Sequence, residues 1–300
     1  MAKFRKIGVL TSGGDAPGMN ACIKAVVNKA HSMGIEVVGI VGGYAGLIDG
    51  NLKPLTMKEV NTVVGSSGTL LYSSRCPEFK TEEGMATAVE ACRKNHIDAL
   101  VCIGGDGTFR GATVMTFRGF PSIGLPGTID NDITASDYTI GLDTAINTTV
   151  QMIDCLRNTC ESHARLNVVE VMGRDCGQIA LYAAIASGAV AVAIPEVPFD
   201  EAGCLEKIRT LREKGKRSMI VVVSEGMRNA DGTPYSETLA EKIQAETGVE
   251  TKFARLAHVV RGGIPTARDR VTASEMGAKA VELLVEGKSN LVMCELDGKV

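Results

Sequence analysis

The sequence predicts an α/β protein of two similar lobes, each a mainly parallel sheet with helices on both faces. Short β-branched runs alternate with longer segments of helical spacing, which is the pattern of strands joined by right-handed helical crossovers. Glycine is abundant, at 34 of 300 residues, and clusters directly after the β-branched runs. Aromatic residues are only 4%, so the core is aliphatic, as in buried parallel strands.

The strand and helix predictions follow from these periodicities. Central strands are predicted at residues 7–10, 37–41, 99–103, 168–171, 191–194 and 219–223. Helices are predicted at residues 19–30, 82–94, 144–157, 204–214 and 236–247. Ligands of such sheets bind beyond the carboxyl ends of the strands, where the glycine-rich loops lie.

Two lobes are expected because a second alternating set begins after residues 137–143. We assign residues 1–138 and 251–300 to a larger lobe and residues 139–250 to a smaller one. A single continuous sheet is the alternative.

Charge and cysteine content exclude several classes. Lys plus Arg is 32 and Asp plus Glu is 35, so the net charge of −3 gives no general attraction to nucleic acid or a membrane surface. The nine cysteines are scattered and form no C-x-x-C pair, which indicates reduced thiols in the cytoplasm. The uncharged stretch at 176–195 fits a buried helix, a glycine stop and a strand better than a membrane span, and the apolar run at 7–10 is too short for a signal peptide.

The first motif, Thr11-Ser-Gly-Gly-Asp-Ala-Pro-Gly-Met-Asn20, lies between a predicted strand and a helix. Glycines allow a close approach of the backbone, and a helix N-terminus offers free N–H groups, so the motif suits a phosphate. A tight turn without a ligand is the alternative. The motif is neither G-x-G-x-x-G nor G-x-x-x-x-G-K-[ST], which disfavours dinucleotide dehydrogenases and P-loop ATPases.

A second motif, Ile103-Gly-Gly-Asp-Gly-Thr108, repeats this arrangement after the strand at 99–103. The carboxylate of Asp106 is suited to hold Mg²⁺, directly or through water, beside a triphosphate. Asp106 could equally cap the helix that begins near Thr108, and the two roles are compatible.

The third motif, Pro126-Gly-Thr-Ile-Asp-Asn-Asp132, places two carboxylates two residues apart. Crowded carboxylates repel each other, so this spacing indicates a bound cation or a proton transfer. On the residues alone, a turn rich in Asp and Asn is as good an interpretation.

In this order, the motifs resemble those of the bacterial 6-phosphofructokinase family. Two further segments carry the likeness, Val169-Glu-Val-Met-Gly-Arg174 and His258-Val-Val-Arg-Gly-Gly263, and together they span nearly the whole chain. The resemblance implies the phosphofructokinase fold and a homotetramer. It also implies transfer of the γ-phosphoryl group of ATP to the 1-hydroxyl of fructose 6-phosphate, with Mg²⁺, in glycolysis.

The resemblance implies a role for each residue at a matching position. The ATP contacts would be Gly13, Tyr44, Arg75, Cys76, Asp106, Gly107 and Thr108, with Asp106 as the magnesium ligand. The reacting centre would hold Thr128, Asp130, Asp132 and Arg174, with Asp130 as the base that takes the proton of the sugar hydroxyl. Arginine suits such a centre because its guanidinium stays charged and binds phosphate oxygens in pairs.

For the sugar, the resemblance implies contacts with Thr128, Asp130, Met172, Gly173, Arg174 and Glu225. The 6-phosphate would be held by Arg165, Lys252, His258 and Arg261, and the groups at 165 and 252 would come from a neighbouring subunit, so that active sites are shared. For His258, a packed core histidine is the alternative.

Two glycines favour ATP as the donor. Pyrophosphate-dependent members of the family typically carry aspartate at the position of Gly107 and lysine at that of Gly127. An aspartate at 107 would crowd and repel the α-phosphate of ATP.

The sequence departs from the family pattern in three places. Lys252 stands where arginine is usual, which keeps the charge but loses the two-pronged contact, and nearby Arg255 is a candidate to compensate. The effector site of regulated members is altered at Lys24, Asn28, Met57 and Val190, although Arg157, Lys214 and Lys216 are kept. We therefore expect weak or absent regulation by ADP or phosphoenolpyruvate. Family members usually continue beyond the position of Val300, so further terminal structure is expected to be missing or replaced.

Three rival functions remain open on the sequence. A pyrophosphate-dependent phosphofructokinase is one, and a catalytically silent subunit that senses nucleotide is another. Asp130, Asp132 and Arg174 argue against the silent subunit, because a sensor needs no base. A lipid or NAD kinase, which the second motif alone would allow, is disfavoured by the third motif.

Overall fold

The computed structural model describes residues 4–300. The strands in this part of the chain are β1 (Lys6–Ser12), β2 (Glu36–Ile40), β3 (Leu52–Pro54), β4 (Ala99–Gly104), β5 (Ser122–Pro126), β6 (Leu166–Val171), β7 (Ala191–Ala193), β8 (Met219–Ser224), β9 (Thr251–Arg255) and β10 (Leu291–Val292). The helices are α1 (Met19–Ser32), α2 (Gly43–Ile48), α3 (Met57–Thr62), α4 (Glu82–Lys94), α5 (Asp106–Phe117), α6 (Leu142–His163), α7 (Gln178–Ser187), α8 (Glu201–Glu213), α9 (Tyr235–Thr247) and α10 (Ala267–Val285). Each predicted strand and helix is present, with ends that differ by a few residues.

The chain divides into two compact units, which we call unit 1 and unit 2. Unit 1 contains Met1–Ile129, Ile133–Asp143 and Ile264–Val300, and unit 2 contains Asp130–Asp132 and Thr144–Gly263. The predicted return to the first lobe at residue 251 is too early, because β9 pairs in parallel with β6 and so belongs to the second sheet. The predicted boundary at 138/139 also misses the short excursion of Asp130–Asp132 into unit 2.

Unit 1 is built on a six-stranded sheet with the order β10-β5-β4-β1-β2-β3. Its strands are parallel except that β3 runs antiparallel to β2 at one edge. Consecutive residues of β4 are all buried, which requires cover on both faces of the sheet. Leu10, Leu100 and Cys102 pack with residues of α2, α4 and α5 on one face, while α1 and α10 pack against each other and contact the sheet.

Unit 2 is built on a four-stranded parallel sheet with the order β7-β8-β6-β9. Every residue of β6 and β8 is buried, so this sheet is also covered on both faces. Val168 and Val221 pack with Ile208 of α8 and Ile243 of α9. The uncharged stretch at 176–195 forms α7 and β7, and Gly188 ends the helix with a φ of 62°.

Within the described residues, no helix is both long enough and apolar enough to cross a bilayer.

Candidate active site

The carboxyl ends of three adjacent strands bring the motifs of unit 1 together. Ser12, Gly104 and Pro126 end β1, β4 and β5, and they are paired in register across the sheet. Each is followed by a glycine-containing loop. This is the edge at which parallel sheets bind ligands.

The loop after β1 is exposed at Gly13, whose φ of 89° lies in the left-handed region that favours glycine. A neighbouring strap, residues 69–74, holds this loop from the side. Ser73 Oγ donates a hydrogen bond to the Gly13 carbonyl over 2.5 Å, and Thr11 Oγ1 donates to the Tyr72 carbonyl over 2.7 Å. The backbone that could receive a phosphate is therefore fixed before any ligand arrives.

The loop after β4 leads directly into α5, whose first residue is Asp106. Thr108 is buried, and its Oγ1 donates to the Ser12 carbonyl over 3.1 Å, which ties this loop to the end of β1. A Cβ added to Gly107 would meet no atom of the described part of the chain within 4 Å. The space beside Gly107 is therefore open to a ligand.

Tyr44 supports this loop from behind. Its side chain is buried, stacks on Phe79 at a centroid distance of 4.1 Å, and donates its hydroxyl to the Thr108 carbonyl over 2.8 Å. Burial is the main cause that raises the pKa of the Tyr44 hydroxyl, so the group stays protonated and remains a donor. Among the other residues expected to contact nucleotide, Arg75 is exposed and Cys76 packs partly against the core.

Asp106 is the candidate metal ligand. Its side chain is 58% exposed and forms an ion pair with Arg110 at 2.8 Å. No group of three potential ligand side chains exists among residues 4–300. The exposed carboxylate of Asp106 fits Mg²⁺ of the kind that uses one protein carboxylate together with phosphate oxygens and water.

Thr128 lies next to the second motif. A Cβ added to Gly105 would come within 4.0 Å of the Thr128 Cβ. The Thr128 carbonyl accepts a hydrogen bond from Thr139 Oγ1 over 2.6 Å. Thr128 is thus held both by the end of β5 and by the segment that returns from unit 2.

The carboxylates of the third motif meet Arg174 within unit 2. Asp130 is only 3% exposed, and its Oδ2 lies 3.3 Å from Arg174 Nε. Asp132 Oδ2 lies 3.3 Å from Arg174 Nη1. One guanidinium therefore bridges these two carboxylates, whose spacing in the sequence indicated either a cation or a proton transfer.

The environment of Asp130 raises its pKa. Burial is the largest cause, and the nearby carboxylates of Asp132 and Glu225 act in the same direction. The guanidinium groups of Arg174 and Arg261 oppose the rise. A carboxylate in such surroundings is a stronger proton acceptor than a solvated one.

The loop after β6 holds Arg174 in a special backbone conformation. Gly173 has a φ of 144° and Arg174 a φ of 52°. Glu225, which follows the paired strand β8, accepts hydrogen bonds from both amides on Oε1, at 3.2 Å from Gly173 N and 3.0 Å from Arg174 N. Glu225 therefore fixes the loop that presents Arg174, and Met172 is half-buried beside it.

The structure does not bring Arg165 and Lys252 to this site within one chain. Arg165 directly precedes β6 and Lys252 is the second residue of β9, so both lie at the amino ends of strands whose carboxyl ends carry the site. Glu250 Oε1 binds both cations, at 2.9 Å from Arg165 Nη2 and 3.2 Å from Lys252 Nζ. Arg255 forms ion pairs with Glu170 and Glu237, so its charge is already committed.

His258 and Arg261 lie in a short 3₁₀ turn, Ala257–Arg261, after β9. His258 is exposed, so it is not a packed core histidine. Arg261 is half-buried, influences Asp130 electrostatically, and has a buried Nε with no hydrogen-bond partner among residues 4–300. That donor is available to a ligand.

Sequence reasoning missed the side chains that hold these loops in place. Ser73 and Thr139 are examples, and Asn131 is another, since its Nδ2 donates to Gln178 Oε1 over 2.8 Å. A positive φ of 51° at Asn131 marks a constrained backbone at the centre of the third motif. Hydroxyl and amide residues in loops are common, so no local pattern distinguishes these from solvated ones.

Comparison with known proteins agrees with this arrangement. The family model described as phosphofructokinase matches residues 6–284. The chain belongs to the phosphofructokinase family.

Curated bacterial phosphofructokinases are similar to it over nearly their whole length. The ATP-dependent 6-phosphofructokinase of Brevibacillus brevis is 48% identical over 287 residues, covering 96% of this chain and 88% of that protein. The ATP-dependent 6-phosphofructokinase 1 of Clostridium perfringens is 50% identical over 290 residues, covering 97% of this chain and 89% of that protein.

Solved phosphofructokinase structures share the fold. The structure from Saccharomyces cerevisiae has a TM-score of 0.91 and 35% identity over 98% of this chain, which spans 44% of that yeast chain. A pyrophosphate-dependent phosphofructokinase from Marinobacter aquaeolei has a TM-score of 0.83 at 22% identity, covering 98% of this chain and 79% of that one. At that identity the likeness concerns the fold alone.

Proposed function

We propose that this phosphofructokinase transfers the γ-phosphoryl group of ATP to the 1-hydroxyl of fructose 6-phosphate, which gives ADP and fructose 1,6-bisphosphate in glycolysis. The observation that carries the proposal is the contact between buried Asp130 and Arg174 at 3.3 Å, in a chain about half identical to ATP-dependent 6-phosphofructokinases. A base beside a cation is what phosphoryl transfer to a hydroxyl requires.

The nucleotide is assigned to the loops of unit 1. Its phosphates would lie against the backbone of Gly13 and Gly107, with Arg75 as an exposed cation nearby. Tyr44 would act from behind, by holding Thr108. Asp106 would hold Mg²⁺, which supplies charge stabilisation at the transferring phosphate.

The sugar is assigned to residues of unit 2. The oxygen of the sugar 1-hydroxyl forms a bond to the γ-phosphorus while Asp130 accepts the proton of that hydroxyl. At the same time, the bond between the γ-phosphorus and the β–γ bridging oxygen breaks, and ADP leaves. Arg174 offsets the negative charge that spreads over the transferring oxygens. Met172, Gly173 and Glu225 form the surrounding sugar contacts.

For the 6-phosphate, His258 and Arg261 are the contacts from the same chain, and the buried Nε of Arg261 supports this role. Arg165 and Lys252 would serve the site of a neighbouring subunit. The resemblance to the family is the reason for assigning a homotetramer with shared sites, and the position of both residues at the amino ends of their strands supports that assignment. We place the enzyme in the cytoplasm, because all nine cysteines lie in the described residues and are free thiols.

The donor is assigned as ATP, because both discriminating positions are glycine. A Cβ at Gly127 would approach Ile103 Cγ2 at 2.8 Å and Met19 Cε at 3.0 Å, so a lysine there needs these core side chains to move. At Gly107 a side chain would instead enter open space on the nucleotide side. The two glycines therefore argue against the pyrophosphate-dependent alternative, and the packing at Gly127 leaves no room for the lysine that this alternative would carry.

The test is turnover of fructose 6-phosphate and Mg²⁺ with either ATP or pyrophosphate, for the wild type and for Asp130→Asn. We expect turnover with ATP only, and a loss of about 10²- to 10⁴-fold in kcat for Asp130→Asn with near-normal ATP binding. The matched control is Asp231→Asn in an exposed turn, which should keep full activity. Turnover with pyrophosphate would contradict the assignment of ATP as the donor. ATP binding without turnover would indicate the silent nucleotide sensor. Full activity of Asp130→Asn would contradict the assignment of Asp130 as the base.

A further inference from the structure

The segment Ile133–Asp143, which we call the return segment, brings the chain back from Asp132 to unit 1. It lies in unit 1, and one of its residues, Tyr138, forms with Asp269 a buried polar pair that the proposed reaction does not use. Tyr138 is 5% exposed and Asp269, near the start of α10, is fully buried. A buried carboxylate is retained only where donors satisfy it.

Asp269 is satisfied by the return segment itself. Its Oδ1 accepts the hydroxyl of Tyr138 over 2.5 Å and the amide of Gly141 over 2.7 Å. The Tyr138 hydroxyl also accepts a hydrogen bond from the Asp143 amide over 3.3 Å. Asp269 Oδ1 and the Tyr138 hydroxyl thus hold the backbone of the return segment at Gly141 and Asp143.

Tyr138 is fixed on its other sides as well. The Arg268 guanidinium lies 4.2 Å above its ring and forms an ion pair with Glu295 at 2.6 Å. Ser136 Oγ donates to the Tyr138 carbonyl over 2.7 Å and accepts from the Glu295 amide over 2.9 Å. The ring of Tyr138 is therefore held against the start of α10.

The return segment is also packed against two loops of the candidate site. Thr139 holds the carbonyl of Thr128. A Cβ at Gly141 would approach Ala16 Cβ at 2.9 Å and Ile129 Cγ2 at 3.2 Å, so the backbone here fits closely against the loop after β1 and against the residue that directly precedes Asp130.

We propose that Tyr138 and Asp269 are positioning residues for phosphoryl transfer, which hold the return segment so that Thr128 and Ile129 present Asp130 in its working orientation. The proposal rests on the proposed function. Neither residue touches substrate in this scheme. Their effect is on the step that depends on geometry, because small misplacements of reacting groups cost far more in rate than in binding.

The test compares Tyr138→Phe with Tyr235→Phe. Tyr235 is a matched control, because its hydroxyl donates to Glu201 Oε2 over 2.6 Å in a pair that does not involve the return segment. We expect Tyr138→Phe to lower kcat by about tenfold or more, with the KM values for ATP and fructose 6-phosphate within about twofold of the wild type. Tyr235→Phe should keep kcat, whatever it does to the melting temperature.

A pair of Asp269 variants separates positioning from general stability. Asp269→Asn keeps an acceptor oxygen for both donors and should retain most of the wild-type kcat, whereas Asp269→Ala should lose at least as much as Tyr138→Phe. If Asp269→Ala does not fold, the Tyr138→Phe result alone decides. A kcat within about twofold of wild type for Tyr138→Phe, or a loss equal to that of Tyr235→Phe, overturns the proposal.

Amide hydrogen exchange provides a readout that does not depend on the proposed reaction. Exchange at residues 127–132 should be faster in Tyr138→Phe than in the wild type and unchanged in Tyr235→Phe. If wild-type protein shows no turnover with ATP and fructose 6-phosphate, the proposed function fails, and this measurement still decides whether Tyr138 positions the segment. Unchanged exchange at these amides contradicts the proposal.

Discussion

Arg174 has two opposing relations to Asp130. It stabilises the carboxylate at 3.3 Å, which lowers the pKa of Asp130, while burial raises that pKa by a larger amount. In the proposed reaction the guanidinium also faces the transferred phosphate. The pKa of Asp130 therefore depends on the position of the Arg174 side chain.

The pH profile should report that coupling. Because the base must be ionised, kcat/KM should be full above the pKa of Asp130 and fall as the pH drops through it. Arg174→Gln removes a lowering influence, so the acid limb of kcat/KM should move to higher pH, in addition to an overall loss of rate. The control Arg217→Gln, an exposed residue paired with Glu161, should leave the limb in place. An acid limb that stays or moves to lower pH in Arg174→Gln contradicts the coupling.

Ionisation of Asp130 should have opposite effects on activity and on stability, because it is needed for catalysis but lowers the free energy of unfolding. Since its folded-state pKa is raised, the ionised form of Asp130 is destabilising at pH values above that pKa, and the penalty disappears below the pKa of the unfolded state. Asp130→Asn should therefore raise the free energy of unfolding near neutral pH by about 0.5–2 kcal/mol, with a smaller gain in acid. Urea denaturation at two pH values measures this, and a destabilised variant at neutral pH would show that the Arg174 contact outweighs burial.

At the scale of elements, one ion pair reinforces the backbone pairing of β9 with β6 in the second sheet. β9 is an edge strand with several exposed or half-buried residues, and Arg255 Nε reaches the buried carboxylate of Glu170 on β6 at 2.5 Å. Ser236 Oγ of α9 also donates to Glu170. The network links three elements through a carboxylate that would be costly to leave unpaired.

Arg255→Ala should therefore destabilise the protein by about 1–3 kcal/mol, because it leaves Glu170 buried with one partner fewer. Chemical denaturation gives the value, and Arg93→Ala, an exposed residue paired with Glu90 within one helix, is the control expected to change stability by less than about 0.5 kcal/mol. Equal effects of the two variants would show that the Glu170 pair contributes no more than a surface pair.

The sequence predicted the elements whose signals are local and missed those that depend on distant partners. The glycine loops and the Asp130–Asp132 motif stand out because their residue types are unusual at those spacings. β9 was not among the predicted strands, since the sequence Thr-Lys-Phe-Ala-Arg is too polar for a central strand and its assignment requires knowing that β6 has a free edge. The hydrogen bond between Tyr138 and Asp269 spans 131 residues of sequence, and no local pattern near either residue predicts the contact.

At the scale of the whole molecule, the effector positions have different surroundings. Lys24 and Asn28 of α1 line an open cavity of about 370 Å³, whereas Arg157 and Val190 are engaged within unit 2. Arg157 Nη2 donates to the Ser187 carbonyl at the end of α7. Val190 is buried, and its carbonyl accepts from Lys207 Nζ over 2.5 Å. One retained cation is thus engaged within unit 2, and the position of the metal-binding glutamate is part of the core.

We expect little regulation by ADP or phosphoenolpyruvate, because Lys24, Asn28, Met57 and Val190 replace the effector-site residues of regulated members. At saturating ATP, neither compound should change the fructose 6-phosphate concentration at half-maximal rate by more than about twofold. Initial-rate curves with and without each effector measure this. A shift of about fivefold or more would mean that the remaining cations still bind an effector and couple it to the sugar site.

The order of the segments of the two units along the chain also affects folding during synthesis. Unit 1 includes Ile264–Val300, and its helix α10 packs against α1, whereas the long segment of unit 2 ends at Gly263. As the polypeptide leaves the ribosome, the second sheet is therefore available in full while the apolar side of α1 still waits for α10. Nascent chains of this enzyme should therefore need a chaperone to cover the apolar side of α1 until α10 has been synthesised. A circular permutation that brings α10 closer to α1 in the sequence should reduce this requirement.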